Sequence, residues 1–154
     1  MKKFLFFIVI SAFASLLNFA IPSAAYAGEC TIRSDRTYVD GCSGPWLPNV
    51  HMAGVNIDLK KLFKPACDLH DQCYNSCGCV KGHCDNIFKH KMDQTCGHNY
   101  PYDPVTVMGH NVGDKNGIKR ASCLAAAQTF YEAVDKGGES SYRADQSRVC
   151  KAGK

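Results

Sequence analysis

The stretch that decides the fold runs from Cys67 to Tyr74 and reads Cys-Asp-Leu-His-Asp-Gln-Cys-Tyr. In a helix, Cys67, His70 and Tyr74 fall on one face, and Cys77 continues it three residues later. Oxidised cysteines three residues to either side of a histidine would pin the helix to other segments and hold the imidazole still. Because a general base needs fixed geometry first, this stretch predicts a helix that carries a functional histidine.

The N-terminal segment and the cysteine content indicate an exported protein. Two lysines precede an apolar stretch at 4–20, and Ala25-Tyr26-Ala27 has the small-x-small pattern of a cleavage site. The sequence therefore predicts a signal peptide at 1–27 and one domain at 28–154, with an uncleaved N-terminal anchor as the alternative. Ten cysteines follow the leader, which is typical of a disulfide framework in an oxidising compartment. We expect the mature protein to be secreted or periplasmic.

The length and charge of the chain narrow its function further. With 154 residues the chain is long enough for one domain and too short for two with good cores. The formal net charge of +4 is only mildly basic and includes no dense run of Lys or Arg, which argues against nucleic-acid binding. We expect a monomer.

The periodicity of apolar residues predicts a mainly helical, disulfide-rich fold. Residues 28–56 and 98–117 are rich in turn formers and are predicted as loops, the second with a short extended piece at 105–107. Pro65 suits the first position of a helix, and two glycines at 137–138 suit the end of another. Three helices are predicted, at 65–76, 84–96 and 118–136.

A glycine-containing loop, Gly41-Cys42-Ser43-Gly44-Pro45, is a candidate for cation binding. Its glycines permit unusual backbone angles, so that carbonyl oxygens can converge on a hard cation. Asp71 lies about 100° round the predicted helix from His70 and points to whatever flanks that face. The loop is a candidate for that flank.

Taken with the start of the next helix, Cys84-Asp85-Asn86-Ile87-Phe88, these motifs resemble those of secreted phospholipases A2, most closely the group XII branch. The residues at 127–134 are a weaker echo of the last helix of microbial relatives. The resemblance implies two antiparallel, disulfide-linked helices with an N-terminal calcium loop and a C-terminal helix. It also implies calcium-dependent hydrolysis of the sn-2 ester at a phospholipid bilayer or micelle surface.

The same resemblance implies a role for individual residues. His70 would take a proton from the attacking water, Asp85 would fix the imidazole tautomer, and Tyr74 would hydrogen-bond Asp85. Asp71 would bind Ca²⁺ together with the backbone carbonyls of the loop. The carbonyls implied are those of Gly41, Ser43 and Pro45.

Two disulfides are implied by the resemblance, Cys42–Cys67 and Cys73–Cys84. If the second bond forms, it brings His70 close to Asp85, because His70 lies one turn before Cys73 and Asp85 directly follows Cys84. The sequence does not choose among the connectivities of the other six cysteines. These are Cys30, Cys77, Cys79, Cys96, Cys123 and Cys150.

Three departures from the family pattern keep a second function open. Ala66 replaces a cysteine common in the family, Ser43 and Pro45 replace loop glycines, and the hairpin wing between the histidine and the aspartate is missing. These changes place calcium affinity and turnover in question, so the alternative is a catalytically weak binding module or toxin-like ligand on the same scaffold.

The sequence also allows simpler structural roles for several of these residues. Asp85 could serve only to stabilise a helix N-terminus, with Asp93 as the fallback partner of His70. Some of the cysteines and histidines could bind zinc instead of forming disulfides. They are Cys73, Cys77, Cys79 and Cys84 with His83, His90 and His98. The apolar residues after the loop could contact lipid or belong to the core. They are Trp46, Leu47, Val50 and Met52.

Overall fold

The computed structural model describes residues 30–33, 39, 41–42, 50–52 and 55–151. The predicted signal peptide lies outside the described residues, as do Ser43, Pro45, Trp46 and Leu47. The side chains of Val50 and Met52 lie outside them as well.

The described chain consists of helices and two small antiparallel hairpins. Strands β1 and β2 pair with Val50 opposite Ile57, and β3 and β4 pair with an irregularity between Val105 and Thr106. The elements in chain order are β1 Val50–Met52, β2 Val55–Ile57, α1 Leu59–Tyr74, α2 Lys81–Asn99, β3 Pro104–Val107, β4 His110–Asp114, α3 Gly117–Gly137 and α4 Glu139–Lys151.

Helix α1 begins earlier than predicted, so the placement of Pro65 at its first position is wrong. Asp58 caps the helix by accepting a hydrogen bond from the Lys61 backbone N–H at 3.0 Å. Leu59 and Phe63 are fully buried, and their burial stabilises the turn before the proline. Pro65 therefore lies inside the helix, because capping and packing outweigh the one backbone hydrogen bond that it cannot donate.

The predicted helix ends agree with the structure more closely than the two segments predicted as loops. Helix α3 matches its prediction to within one residue at each end, whereas α2 extends three residues further at both ends. Part of the loop at 28–56 forms the first hairpin, and much of the loop at 98–117 forms the second. The chain also continues past the two glycines into α4, which was not predicted.

The core lies between α1, α2 and α3. Phe63 of α1 meets Phe130 of α3 edge to face, with ring centroids 5.5 Å apart, and Phe88 and Met92 of α2 are buried between these helices. Helices α1 and α2 are antiparallel, because Cys73 is bonded to Cys84 at one end while Leu62 and Lys91 line a common cleft near the other.

Disulfides use every cysteine of the chain. The two pairs implied by the resemblance are among them, and the zinc alternative is wrong for the cysteines because none keeps a thiol. The five bonds are Cys30–Cys79, Cys42–Cys67, Cys73–Cys84, Cys77–Cys150 and Cys96–Cys123.

The predicted fold class is confirmed: the protein is mainly helical and disulfide-rich, with an antiparallel, disulfide-linked helix pair. None of the helices in the described ranges combines the length and apolarity required to cross a bilayer.

Candidate active site

A buried histidine–aspartate pair joins the facing ends of α1 and α2. The Nε2 atom of His70 lies 2.9 Å from Oδ1 of Asp85. Asp85 is completely buried and His70 is 7 % exposed. A buried carboxylate is costly unless it is paired, so this arrangement must be compensated by its surroundings.

The covalent frame explains why the two residues meet. Cys73 and Cys84 are bonded with their Cα atoms 5.5 Å apart. His70 lies one turn before Cys73, and Asp85 follows Cys84 directly, so both side chains point into the space between the helices. The chain turns from α1 to α2 within six residues, which keeps the facing ends together.

Two aromatic rings pack against the imidazole. The ring centroid of His70 lies 4.1 Å from that of Tyr74 and 4.8 Å from that of Phe88. The Tyr74 hydroxyl donates a hydrogen bond to Asp85 Oδ1 at 2.7 Å. Burial, together with this bond to a carboxylate, raises the pKa of Tyr74 well above its ordinary range, so the phenol remains a neutral donor.

Lys81 completes the site and was missed by the sequence reasoning. Its ammonium lies 2.6 Å from Oδ2 of Asp85 and is largely buried. Lysine and aspartate four residues apart on a helix are a recognisable pair. The predicted α2 begins at Cys84, so Lys81 falls in the predicted turn, and the four-residue spacing from Lys81 to Asp85 does not count as a helical pair.

The hydrogen bonds of Asp85 determine its charge. Burial by itself would raise the pKa of Asp85, but hydrogen bonds from His70, Lys81 and Tyr74 outweigh burial and lower the pKa below its usual value. Asp85 is therefore an ionised acceptor at neutral pH. With Asp85 accepting, we assign the proton of neutral His70 to Nε2, which leaves the lone pair on Nδ1.

Asp71 lies next to the start of the predicted calcium loop. The Gly41 backbone N–H donates to Asp71 Oδ2 at 3.2 Å, and the Cys42–Cys67 bond fixes the loop to α1. Gly41 has a φ of +68°, a conformation that favours glycine. A carboxylate beside a bent backbone segment offers the hard oxygen donors that Ca²⁺ prefers, so the described part of the donor set fits this ion.

Two other acids near the site have partners of their own. Lys64 binds both oxygens of Asp68, at 2.9 and 2.7 Å. Asp93, the fallback partner for His70, is bound by Lys89 at 2.5 Å. The acid that the structure brings to His70 is Asp85.

Comparison with known proteins gives partial matches. No protein-family model matches the chain, and no solved structure gives a significant match. The chain is 39% identical over 57 residues to the human (Homo sapiens) group XIIA secretory phospholipase A2, covering 37% of this chain and 28% of that protein. It is 34% identical over 72 residues to Conodipine-P2 of Conus purpurascens, covering 44% of this chain and 32% of that protein.

The matched segments are short relative to the curated relatives, since the chain spans 28 to 32% of the length of these two proteins. These relatives are secretory phospholipases A2 and conodipines, and the disulfide-rich helical fold is consistent with the resemblance. The resemblance to secretory phospholipases A2, and to their group XII branch in particular, is therefore confirmed.

Proposed function

We propose that this protein hydrolyses the sn-2 ester of phospholipids in a calcium-dependent reaction, with His70 as general base. The observation that supports this most directly is the buried contact of 2.9 Å between His70 Nε2 and Asp85 Oδ1, one residue from Asp71. A base that is oriented by a carboxylate through its far nitrogen is a standard arrangement for activating a nucleophile.

In the proposed reaction His70 removes a proton from water through Nδ1. Asp85 holds the proton on Nε2 and stabilises the imidazolium that forms, while Tyr74 fixes Oδ1 of Asp85. All ten cysteines are in disulfides, so no thiol competes with water as the nucleophile. The water oxygen bonds to the ester carbonyl carbon, the bond from that carbon to the glycerol oxygen breaks, and the imidazolium returns its proton to the departing oxygen. Because water is the nucleophile, no acyl-enzyme is expected.

Asp71 and the carbonyls of Gly41, Ser43 and Pro45 are the proposed calcium ligands. When bound, the ion would stabilise negative charge on the ester oxygen and bind the substrate phosphate. The Gly41 N–H holds one oxygen of Asp71 toward the loop. The proposed partner is a phospholipid surface, approached by a monomer after removal of residues 1–27 and export; the disulfides and the secretory relatives support this location.

The test is release of fatty acid from phospholipid vesicles by the purified oxidised protein, with Ca²⁺ or with EDTA. His70→Gln should reduce kcat by about 10²- to 10⁴-fold, the usual contribution of general acid–base catalysis, and EDTA should abolish release. His90→Gln is the matched control, because His90 is an exposed histidine of α2 that contacts Gln94. Release that persists in EDTA, or full activity of His70→Gln, would contradict the proposal.

The loop residues Ser43 and Pro45 favour a second candidate, a catalytically weak binding module on the same scaffold. Proline offers a carbonyl but no N–H, and serine is less free than glycine to adopt unusual angles. Calorimetry that detects no calcium binding at millimolar concentration, together with no turnover by the wild type, would favour this candidate.

A further inference from the structure

We propose that Lys81 is a positioning residue, which fixes the carboxylate of Asp85 against His70 by anchoring it to the end of α3. This inference rests on the proposed function for its effect on rate. The placement of the side chains can be tested separately.

The ammonium of Lys81 has three hydrogen-bond acceptors, one for each of its protons. It lies 2.6 Å from Asp85 Oδ2, 2.8 Å from the Val134 carbonyl oxygen and 3.0 Å from the Asp135 carbonyl oxygen. A lysine ammonium donates three hydrogen bonds, and all three are satisfied here. The side chain is 13 % exposed, so these protein groups replace most of its hydration.

Two of the three acceptors belong to α3 and do not depend on Asp85. The carbonyls at a helix C-terminus carry partial negative charge and favour a cation. Val134 and Asp135 occupy the last turn of α3, where the Val134 carbonyl also accepts the Gly138 N–H at 2.8 Å. The ammonium is therefore held by a second helix and acts as a fixed point for Asp85.

Fixing Oδ2 determines where Oδ1 points. A carboxylate is planar, so once Lys81 holds one oxygen, rotation of the group would move the other away from His70 and Tyr74. Both contact Oδ1, at 2.9 and 2.7 Å. Lys81 thereby aligns the imidazole that is proposed to activate water, without contacting substrate itself.

The chain offers a matched comparison on the same helix. Lys89 and Asp93 have the same spacing as Lys81 and Asp85, and their side chains are 24 and 36 % exposed, against 13 and 1 %. Loss of the Lys89 pair removes one lysine–aspartate contact from α2 but leaves the groups around His70 in place. Lys89→Met is therefore the control for Lys81→Met.

The experiment measures kcat, KM and the downfield proton NMR signal of the His70 Nε2–H in the oxidised proteins. We expect Lys81→Met to lower kcat by about ten- to a hundredfold, the scale of a small misplacement of a catalytic group, with KM within about twofold. The downfield signal should broaden or disappear, and Lys89→Met should match the wild type in all three. Near-UV circular dichroism monitors folding, and Lys81→Gln, which retains an amide donor toward α3, is a second variant should Lys81→Met not fold.

A folded Lys81→Met or Lys81→Gln protein with unchanged kcat and an unchanged downfield signal would overturn the inference. If the wild type has no turnover, the proposed function fails, and the NMR signal alone decides the role of Lys81. In that case its loss in the Lys81 variants, but not in Lys89→Met, still supports positioning.

Discussion

The two ends of the α1–α2 pair are built in different ways. At the site end, the polar side chains of His70 and Asp85 are buried. There Cys73–Cys84 joins the two helices, while the turn between them is bonded to the N-terminal segment by Cys30–Cys79 and to α4 by Cys77–Cys150. At the far end, one bond joins α2 to α3, and the β3–β4 hairpin exposes apolar side chains. Met108 at its tip is 95 % exposed.

The difference shows what a buried polar network requires. The site end buries an ionised carboxylate and a lysine, which is tolerated only if each charge is paired and each hydrogen bond is made. Displacement of one helix would leave such groups unsatisfied, so rigid cross-links at this end keep the network intact. The far end uses ion pairs such as Lys115–Asp103 between exposed side chains, and these contribute little to stability.

Removing one disulfide from each end gives the largest expected effects and should separate stability from activity. The bonds Cys73–Cys84 and Cys96–Cys123 span 11 and 27 residues. From chain entropy, replacing both cysteines by alanine should cost about 3 kcal/mol in free energy of unfolding at the site end and slightly more, about 3.5 kcal/mol, at the far end. Activity should fall in the reverse order, because only the first bond aligns His70 with Asp85.

Urea unfolding and vesicle hydrolysis, measured on both double variants, test whether the loss of stability and the loss of activity follow opposite orders. At urea concentrations below its unfolding transition, the Cys96→Ala/Cys123→Ala protein should keep kcat within about twofold of the wild-type value. Equal loss of activity in the two folded proteins would mean that the bonds serve stability alone and that the two ends do not differ as argued.

A pair of adjacent glycines tests how closely α3 and α4 approach the site. A Cβ at Gly138 would lie 2.5 Å from the Val134 carbonyl oxygen and 3.0 Å from the Tyr74 hydroxyl, whereas a Cβ at Gly137 meets nothing within 4 Å. We expect Gly138→Ala to cost about 2 kcal/mol by overpacking and to lower kcat by displacing Tyr74. Gly137→Ala should be neutral or stabilise by up to about 1 kcal/mol.

Thermal unfolding and kcat for the two glycine variants are the measurements. The opposite signs are the informative result, because the two positions adjoin in sequence and differ in what surrounds them. If both alanines had the same effect, the close approach of the α3–α4 turn to Tyr74 would not matter for the site.

These glycines also illustrate what the sequence did and did not reveal. The pair correctly indicated the end of α3, but the structure shows a steric reason for Gly138, and α4 follows directly. The mean hydropathy of α4 is low and Val149 is its one buried residue, so periodicity had little to detect. Its attachment is tertiary: Gln146 donates to the carbonyl oxygens of Tyr74 and Ser76, at 2.8 and 2.9 Å.

The residues of the candidate site show the same difference between local sequence signals and tertiary contacts. His70 and Asp71 lie within one short motif whose cysteine spacing indicates a fixed helix, whereas Asp85 is implied by the resemblance to secreted phospholipases A2. Lys81 also has a local contact at four residues, yet its other partners, Val134 and Asp135, lie more than fifty residues away. Sequence spacing carries no signal for contacts of that kind.

The acid dependence of stability should also differ between the ends. The pKa of Asp85 is below its ordinary value of 3.8. The unfolded chain therefore takes up a proton at Asp85 before the folded protein does, and the contribution of Asp85, complete above about pH 4, is lost as the pH falls through its folded pKa. In the hairpin, the Asp103 N–H and Arg120 likewise lower the pKa of Asp114.

We expect Asp85→Asn to flatten the fall in unfolding free energy between pH 5 and pH 2, relative to the wild type, more than Asp114→Asn does. The Asp114 side chain is 13 % exposed, against 1 % for Asp85, so solvent screens its interactions more. Urea unfolding at several pH values gives the slopes. A steeper dependence in Asp85→Asn than in the wild type would contradict the assigned direction of the pKa.

The smallest expected effect is at the tip of the β3–β4 hairpin. Met108 and Gly109 have φ angles of 50° and 81°, the left-handed values that a two-residue turn of this type requires. Asparagine followed by glycine suits such a turn far better than methionine, since a left-handed non-glycine residue generally costs about 1–2 kcal/mol. Met108→Asn should therefore stabilise the protein by about 0.5–1 kcal/mol and remove an exposed apolar side chain.

Differential scanning calorimetry of Met108→Asn should show a rise in Tm, with kcat unchanged because no contact links the tip to His70 among the described residues. Gly109→Ala is the matched control with the opposite sign, because alanine is strained at a φ of 81° and should destabilise the turn. A fall in kcat for Met108→Asn at full stability would show that the hairpin takes part in turnover. The far end could then no longer be regarded as a region that tolerates change independently of the site.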